Sequence, residues 1–232
     1  TSQMVLKTVG PTENQTITAE YNGQQNTSPS IRVRHTDLHH FDVVAPGGSV
    51  LAGEYFDVTI QARDVYGNLC DDTNGGESFD GTVQISETTP GTSNTVYPTQ
   101  YSLSNGEVLA SLRIFKAPNT EVLKVDSGGV TGISNSISMQ PNEFKRLLVL
   151  TSGMNQNGGV FTAQPPSEFL MYTGMPVTRV VNDGTAGPAA GYTFTVLSCD
   201  DYGNVTQSAD VLGHTVTVST NDPHAPAIPN LY

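Results

Sequence analysis

The sequence predicts an all-β fold built from tandem sandwiches, on three observations. Blocks of landmark residues recur in the same order along the 232 residues. The longest apolar segment alternates with a period of two. The composition is that of many short strands joined by polar turns: Gly (23) and Pro (14) are frequent enough for a loop-rich β protein, and Trp is absent.

The recurrence is the primary signal. Residues 16–44 align with 122–150 without a gap. Gly23 meets Gly129, Ser28 meets Ser134, Ser30 meets Ser136 and Ile31 meets Ile137, each pair 106 residues apart. Apolar positions follow, among them Ile17 with Leu123, Phe41 with Leu147 and Val43 with Val149. A second match pairs Phe56–Asn68 with Tyr192–Asn204, now 136 residues apart, and a third pairs Thr82–Ser86 with Thr215–Ser219. The two spacings differ by 30 residues, a net insertion expected within 151–190.

The landmarks order one unit. A short strand is expected near 38–44, then a long one at 54–64. Phe56, Val58, Ile60 and Ala62 alternate there with Asp57, Thr59, Gln61 and Arg63, which puts the first set on a buried face. A Tyr-Gly-Asn turn follows. Further strands are expected near 81–86, 99–104, 107–116, 120–126 and 134–140. About seven strands in about 100 residues is the size of an immunoglobulin-type sandwich. On this reading residues 1–35 are the carboxy-terminal strands of one unit, with Lys7 matched to Lys116. Residues 36–141 are a complete unit, and 142–232 are the amino-terminal part of a third with the 151–190 insertion. The chain thus carries half repeats at both ends.

Ala52–Phe56, Asp64-Val65-Tyr66-Gly67-Asn68, Gly81–Ser86 and Ser134–Ser138 resemble bacterial and archaeal immunoglobulin-like surface repeats, similar to invasin-type and filamin-like domains. The resemblance implies a non-enzymatic, extracellular or cell-surface chain acting as a rod or filament component. Its partners would be neighbouring repeats, copies of itself, or a surface glycan or protein. It also admits a glycan- or protein-binding adhesin stalk, or an accessory domain of a secreted enzyme.

Charge narrows the partners. A net charge of −12, with only ten Lys and Arg, opposes nucleic-acid binding. No apolar run approaches the roughly 20 residues needed to span a bilayer. No cofactor is expected.

Candidate sites follow from local chemistry. Asp64, Asn68, Asp71 and Asp72, and later Asp200, Asp201 and Asn204, offer hard oxygens of the kind calcium takes. No EF-hand spacing is present, and turn capping explains the same residues. Asn14, Asn26 and Asn204 begin glycosylation acceptor triplets. Cys70 and Cys199 are the only cysteines. Cys199 aligns with outward-facing Arg63, so it is expected on an outer face, where an intermolecular disulfide is conceivable. His35, His39 and His40 cluster at the entry to the middle unit, and regular alternation would send His39 and His40 to opposite faces. Asp126-Ser127-Gly128-Gly129 looks like a serine-protease nucleophile segment. It aligns with Glu20-Tyr21-Asn22-Gly23 and is expected to be a hairpin turn. The insertion is apolar enough, through Met154, Phe161, Phe169, Leu170, Met171, Tyr172 and Met175, to fold back on the sandwich or to pack on a neighbour.

Overall fold

A computed structural model describes residues 3–10, 15–88, 95–162, 166, 168–176, 194–206 and 215–221. Among these there is no α-helix. A single 3-10 turn lies at Thr73–Gly75, and no helix is long and apolar enough to cross a membrane.

The middle of the chain is a sandwich. One sheet runs β3 (Leu38–Val44), β5 (Phe56–Asp64), β9 (Glu107–Ile114) and β7 (Val96–Tyr97). The facing sheet runs β12 (Val130–Ile133), β11 (Leu123–Ser127), β6 (Thr82–Glu87) and β8 (Gln100–Ser102). A third, short sheet orders β10 (Asn119–Glu121), β13 (Ile137–Gln140) and β4 (Ser49–Leu51), with β13 and β4 parallel. The alternation expected for the long strand is present: Phe56, Val58, Ile60 and Ala62 are buried, while the residues between them are exposed or half-buried. They meet Val83, Ile85, Leu123 and Val125 of the facing sheet in one core. Burying each large side chain contributes about 1.5–3 kcal/mol, and a one-residue slip of β5 would forfeit the set.

One expected strand is divided and two are shorter than expected. The stretch 120–126 breaks at Val122, where β10 pairs with β13 and β11 pairs with β6. The stretch 99–104 is β8 alone, and β7 just before it joins the other sheet. The stretch 134–140 begins only at Ile137. A strand that turns a sandwich corner must break its ladder to change partners, and alternation does not mark that break.

Several pairings and hydrogen bonds of the middle recur in the flanking segments. β1 (Thr18–Tyr21) and β2 (Gln24–Thr27) form a hairpin around Asn22-Gly23, both at positive φ. β11 and β12 do the same around Gly128-Gly129. Gln15 bridges Ile31 as Glu121 pairs with Ile137. Ser28 Oγ accepts from the Ile17 N–H at 2.9 Å, as Ser134 Oγ accepts from the Leu123 N–H at 2.9 Å. Downstream, β14 (Arg146–Thr151) pairs with β17 (Phe194–Cys199) in the register of β3 with β5. Leu147 opposes Ser198 as Phe41 opposes Ala62, and Val149 opposes Val196 as Val43 opposes Ile60.

The insertion folds back, as its apolar content suggested. β15 (Met154–Phe161) and β16 (Phe169–Gly174) form a hairpin that sets Phe161 and Phe169 against Phe115 of the middle sandwich. Residues 163–165, 167 and 177–193 of the insertion region lie outside the described residues.

Candidate functional site

The Asp-x-Tyr-Gly-Asn turn occurs twice, and each copy holds a preceding stretch of chain. Gly67 (φ 83°) and Gly203 (φ 82°) take the left-handed conformation that lets the chain reverse. In the first turn the N–H groups of Tyr66 and Asn68 donate to Asp64 Oδ1, both at 2.8 Å. The Thr36 N–H (3.0 Å) and Asn68 Nδ2 (2.9 Å) donate to Asp64 Oδ2. In the second turn Tyr202 and Asn204 donate to Asp200 Oδ1 at 2.9 Å, while Asn142 N–H (3.1 Å) and Asn204 Nδ2 (2.9 Å) donate to Asp200 Oδ2. The carboxylate fixes the asparagine, and the asparagine then reaches outward.

What it reaches is backbone. Asn68 Nδ2 donates to the Lys7 carbonyl at 2.8 Å, and the Val9 N–H donates to Asn68 Oδ1 at 2.9 Å. Asn204 Nδ2 donates to the Phe115 carbonyl at 2.7 Å, and the Ala117 N–H donates to Asn204 Oδ1 at 2.9 Å. One side-chain amide thus satisfies a carbonyl and the N–H two residues later, as a neighbouring strand would. The equivalence corrects the alignment by one residue: Lys7 corresponds to Phe115, not Lys116.

The two turns differ in what surrounds the clasp. At the first, Tyr66 is 48% exposed with Lys7 Nζ 5.3 Å from its ring centroid. Asn74 Nδ2 donates to the Val33 carbonyl at 2.8 Å, and His35 Nε2 lies 2.9 Å from the Asp71 carbonyl oxygen. At the second, Tyr202 packs edge-on to Phe115 and Phe169, with ring centroids 5.1 and 4.9 Å away. Its ring leaves no room on Gly53, where a Cβ would lie 2.2 Å from the ring. The β15–β16 hairpin adds two bonds to the turn: the Gly159 N–H donates to the Tyr202 carbonyl (2.8 Å) and Gln156 Nε2 to that of Gly203 (2.7 Å). Asn204 is fully buried.

Burial raises the Asp64 carboxyl, but hydrogen bonds from the Asn68 side chain and the Thr36, Asn68 and Tyr66 N–H groups outweigh it, so its pKa falls to about 2.

The other candidates fall as follows. Asp71 Oδ1 accepts from the Thr73 N–H at 3.1 Å, and Asp201 Oδ1 accepts from Arg146 at 3.0 Å. Among the described residues no group of three or more His, Cys, Asp or Glu is placed to hold a metal ion. Asn26 is exposed on β2, and Asn14 lies outside the described residues. Asn204 is not an accessible sugar acceptor, because its amide is buried and both donor directions are occupied. Cys199 does not lie on an outer face: it is fully buried, Cys70 is nearly so, and both are free thiols. Arg63 reaches past its covered position to Asp42 (3.1 Å), whereas a short thiol at the equivalent place stays beneath the surface. Burial, then nearby Asp64 and Asp71, raises the Cys70 thiol to about 11, and burial raises Cys199 as well. His39 and His40 do not point apart, because a bulge between Leu38 and His40 brings their Nδ1 atoms within 3.2 Å. Ser127 is in a hairpin, its Oγ donating to the Thr82 carbonyl at 2.8 Å.

Sequence reasoning missed the outward reach of Asn68 and Asn204. It also missed Thr36 and Asn142, whose backbones complete the carboxylate shell, and the Gly53–Tyr202 contact. Thr36 and Asn142 are 106 residues apart, so the spacing could have found them.

No family model matches the chain, and no curated protein matches it significantly. Among solved structures, the crystal structure of S-layer protein SbsC domains 4 and 5 is similar at 15% identity and a TM-score of 0.31, covering 53% of this chain and 56% of that one. The structure of SbsC domains 5–6 is similar at 14% identity and 0.32, covering 80% and 72%. The crystal structure of rSbsC(31-844) is similar at 13% and 0.32, covering 77% and 24%. This chain therefore spans little more than half of the first of these structures. Superpositions with TM-scores near 0.3 do not establish a shared topology, so these remain likenesses only.

Proposed function

We propose that the chain is a semi-rigid segment of an extracellular rod or filament at a cell surface, made of tandem immunoglobulin-type sandwiches divided near residues 35 and 141. One observation carries this reading: the same asparagine clasp occurs at both junctions. It grips backbone groups of the preceding segment, so it works whatever side chains that segment carries. A linker meant to be flexible has no use for such a clasp. The role is mechanical and non-catalytic, and the Asp64 and Asp200 oxygens serve the turns, with no cation called for. Small-angle X-ray scattering tests it. The chain should scatter as an elongated particle of fixed length, and Asn68→Ala with Asn204→Ala should broaden the pair-distance distribution. A wild-type profile already that of a flexible chain of beads would defeat the reading.

A second reading, a glycan- or protein-binding stalk module, has one observation in its favour. The Arg113 guanidinium lies 4.8 Å from the Tyr55 ring centroid and 5.8 Å from that of Tyr97, and Tyr55 is 59% exposed. Such a row offers an aromatic platform to a sugar. Binding on a glycan array that Tyr55→Ala abolishes would promote it.

In its most specific form, the rod reading has residues 1–35 of one copy complete the 142–232 segment of the next by strand complementation. The exposure of Ile17, Leu147 and Val149 favours such an exchange.

A further inference from the structure

Four asparagines are followed by a glycine: Asn22, Asn74, Asn105 and Asn157. In such a pair the glycine backbone nitrogen can attack the asparagine Cγ, because the glycine carries no Cβ to obstruct the approach. The local chemistry is the same four times, but the fold makes the four unequal.

Three are held. Asn74 Nδ2 donates to the Val33 carbonyl at 2.8 Å, and the Gly75 N–H donates to the Asp72 carbonyl at 3.1 Å. Asn105 Oδ1 accepts from the Asp72 N–H at 2.9 Å, and the Gly106 N–H donates to the Phe79 carbonyl at 3.1 Å. At both sites the side-chain amide and the attacking nitrogen are engaged. Asn157 lies within β15, where the buried Gly158 sits so close to the second turn that a Cβ on it would lie 2.2 Å from the Gly203 carbonyl oxygen.

Asn22 is not held. It is exposed at the tip of the β1–β2 hairpin, at φ 49° with Gly23 at φ 77°. Among the described residues, neither its side chain nor the Gly23 N–H has a hydrogen-bond partner. Nothing lies within 4 Å of the position a Gly23 Cβ would take. Every residue of β1 and β2 is exposed, and a two-stranded ribbon without packing is marginal in water. The local opening that turns the Asn22 Cγ onto the Gly23 nitrogen therefore costs little. The matching hairpin of the middle unit has Gly128 in this place, with Val125 of its first strand in the core, so it has no amide to lose.

We infer that Asn22 is a self-modification site, which makes the amino-terminal hairpin perishable where its counterpart in the middle unit is permanent. The Gly23 nitrogen bonds to Asn22 Cγ, the Cγ–Nδ2 bond breaks, and the proton from that nitrogen leaves with ammonia. Water then opens the cyclic imide at either carbonyl, giving aspartate or isoaspartate at this position. No oxidant, metal or partner is consumed. Isoaspartate routes the main chain through Cβ and Cγ and adds one backbone atom to a two-residue turn whose geometry fixes both φ values, so the β1–β2 register fails there. The inference does not depend on the rod reading.

The test ages the full chain in mildly alkaline buffer and maps ammonia loss by peptide mass spectrometry, beside the same chain unfolded in urea. In the folded chain Asn22 should convert at least roughly tenfold faster than Asn74, Asn105 or Asn157, because those three react only through local opening. In urea the four rates should converge. In the isoaspartyl fraction, the nuclear Overhauser contact between the Cα protons of the paired Glu20 and Gln25 should be lost, while that between Asp126 and Thr131 of the middle hairpin persists. Asn22→Ser should keep both contacts through the same ageing. Folded-state conversion led by another of the four would overturn the inference. So would a lead for Asn22 that is undiminished in urea, or a Glu20–Gln25 contact that survives isoaspartate.

Discussion

Asn68→Ala and Asn204→Ala remove the same amide from the same turn, yet they should differ severalfold in cost. Each loses one hydrogen bond to a carboxylate, worth about 1.5–3 kcal/mol at most and less where water can substitute. The difference lies at the outward end. At the first junction the Lys7 carbonyl and Val9 N–H are exposed or half-buried, so water replaces the lost partner. At the second, Phe115 is 1% and Ala117 7% exposed, beneath Tyr202 and the β15–β16 hairpin. Truncation there strands a buried carbonyl and a buried N–H, each costing about 1–3 kcal/mol. Asn68→Ala should therefore cost about 1–2 kcal/mol and Asn204→Ala about 3–5 kcal/mol. Equilibrium urea unfolding measures both, and hydrogen exchange at the Ala117 amide shows whether the loss is local. Equal costs at the two sites, or an unchanged exchange rate at Ala117, would refute the reasoning.

Other predictions follow from the same contacts. Asp64 has a depressed folded pKa, so its stabilisation is full above the ordinary carboxyl value of 3.8 and is lost as pH falls from there to about 2. The loss should amount to about 2 kcal/mol. Asp64→Asn should flatten that part of the stability-pH curve, and a curve unchanged by the substitution would contradict it. Gly53→Ala places a methyl on the Tyr202 ring at φ 79° and should cost about 2–4 kcal/mol. Gly67→Ala, with open space around it at φ 83°, should cost about 1 kcal/mol by thermal denaturation. Calcium or a chelator should leave the melting temperature unmoved, and a rise on adding calcium would show that the turn oxygens also coordinate.

The sequence was readable where the physics is local. Alternation through Phe56–Ala62 marked the buried face, Asn22-Gly23 and Gly128-Gly129 marked hairpins, and Asp64 and Asp200 marked capped turns. It was unreadable where partners are remote or faces depend on side-chain length. The Asn68 clasp joins residues 61 positions apart and the Asn204 clasp residues 89 apart, and no local pattern encodes either. Cys199 was misplaced because alternation assigns a face to the backbone, not a depth to the sulphur. His39 and His40 were misplaced because a bulge leaves no compositional trace. The packing partner of the insertion was hidden too, since apolar content shows that Phe161 and Phe169 will be covered but not by what.

The most direct measurement is an electron-electron distance across the first junction, between spin labels at Tyr21→Cys and Leu109→Cys, both exposed positions, with the buried native thiols left unlabelled. If an asparagine side chain locks one sandwich to the next, the wild type gives a single narrow distance and Asn68→Ala spreads it. A broad distribution in the wild type, or a narrow one that survives the substitution, would mean that the clasp holds nothing in place.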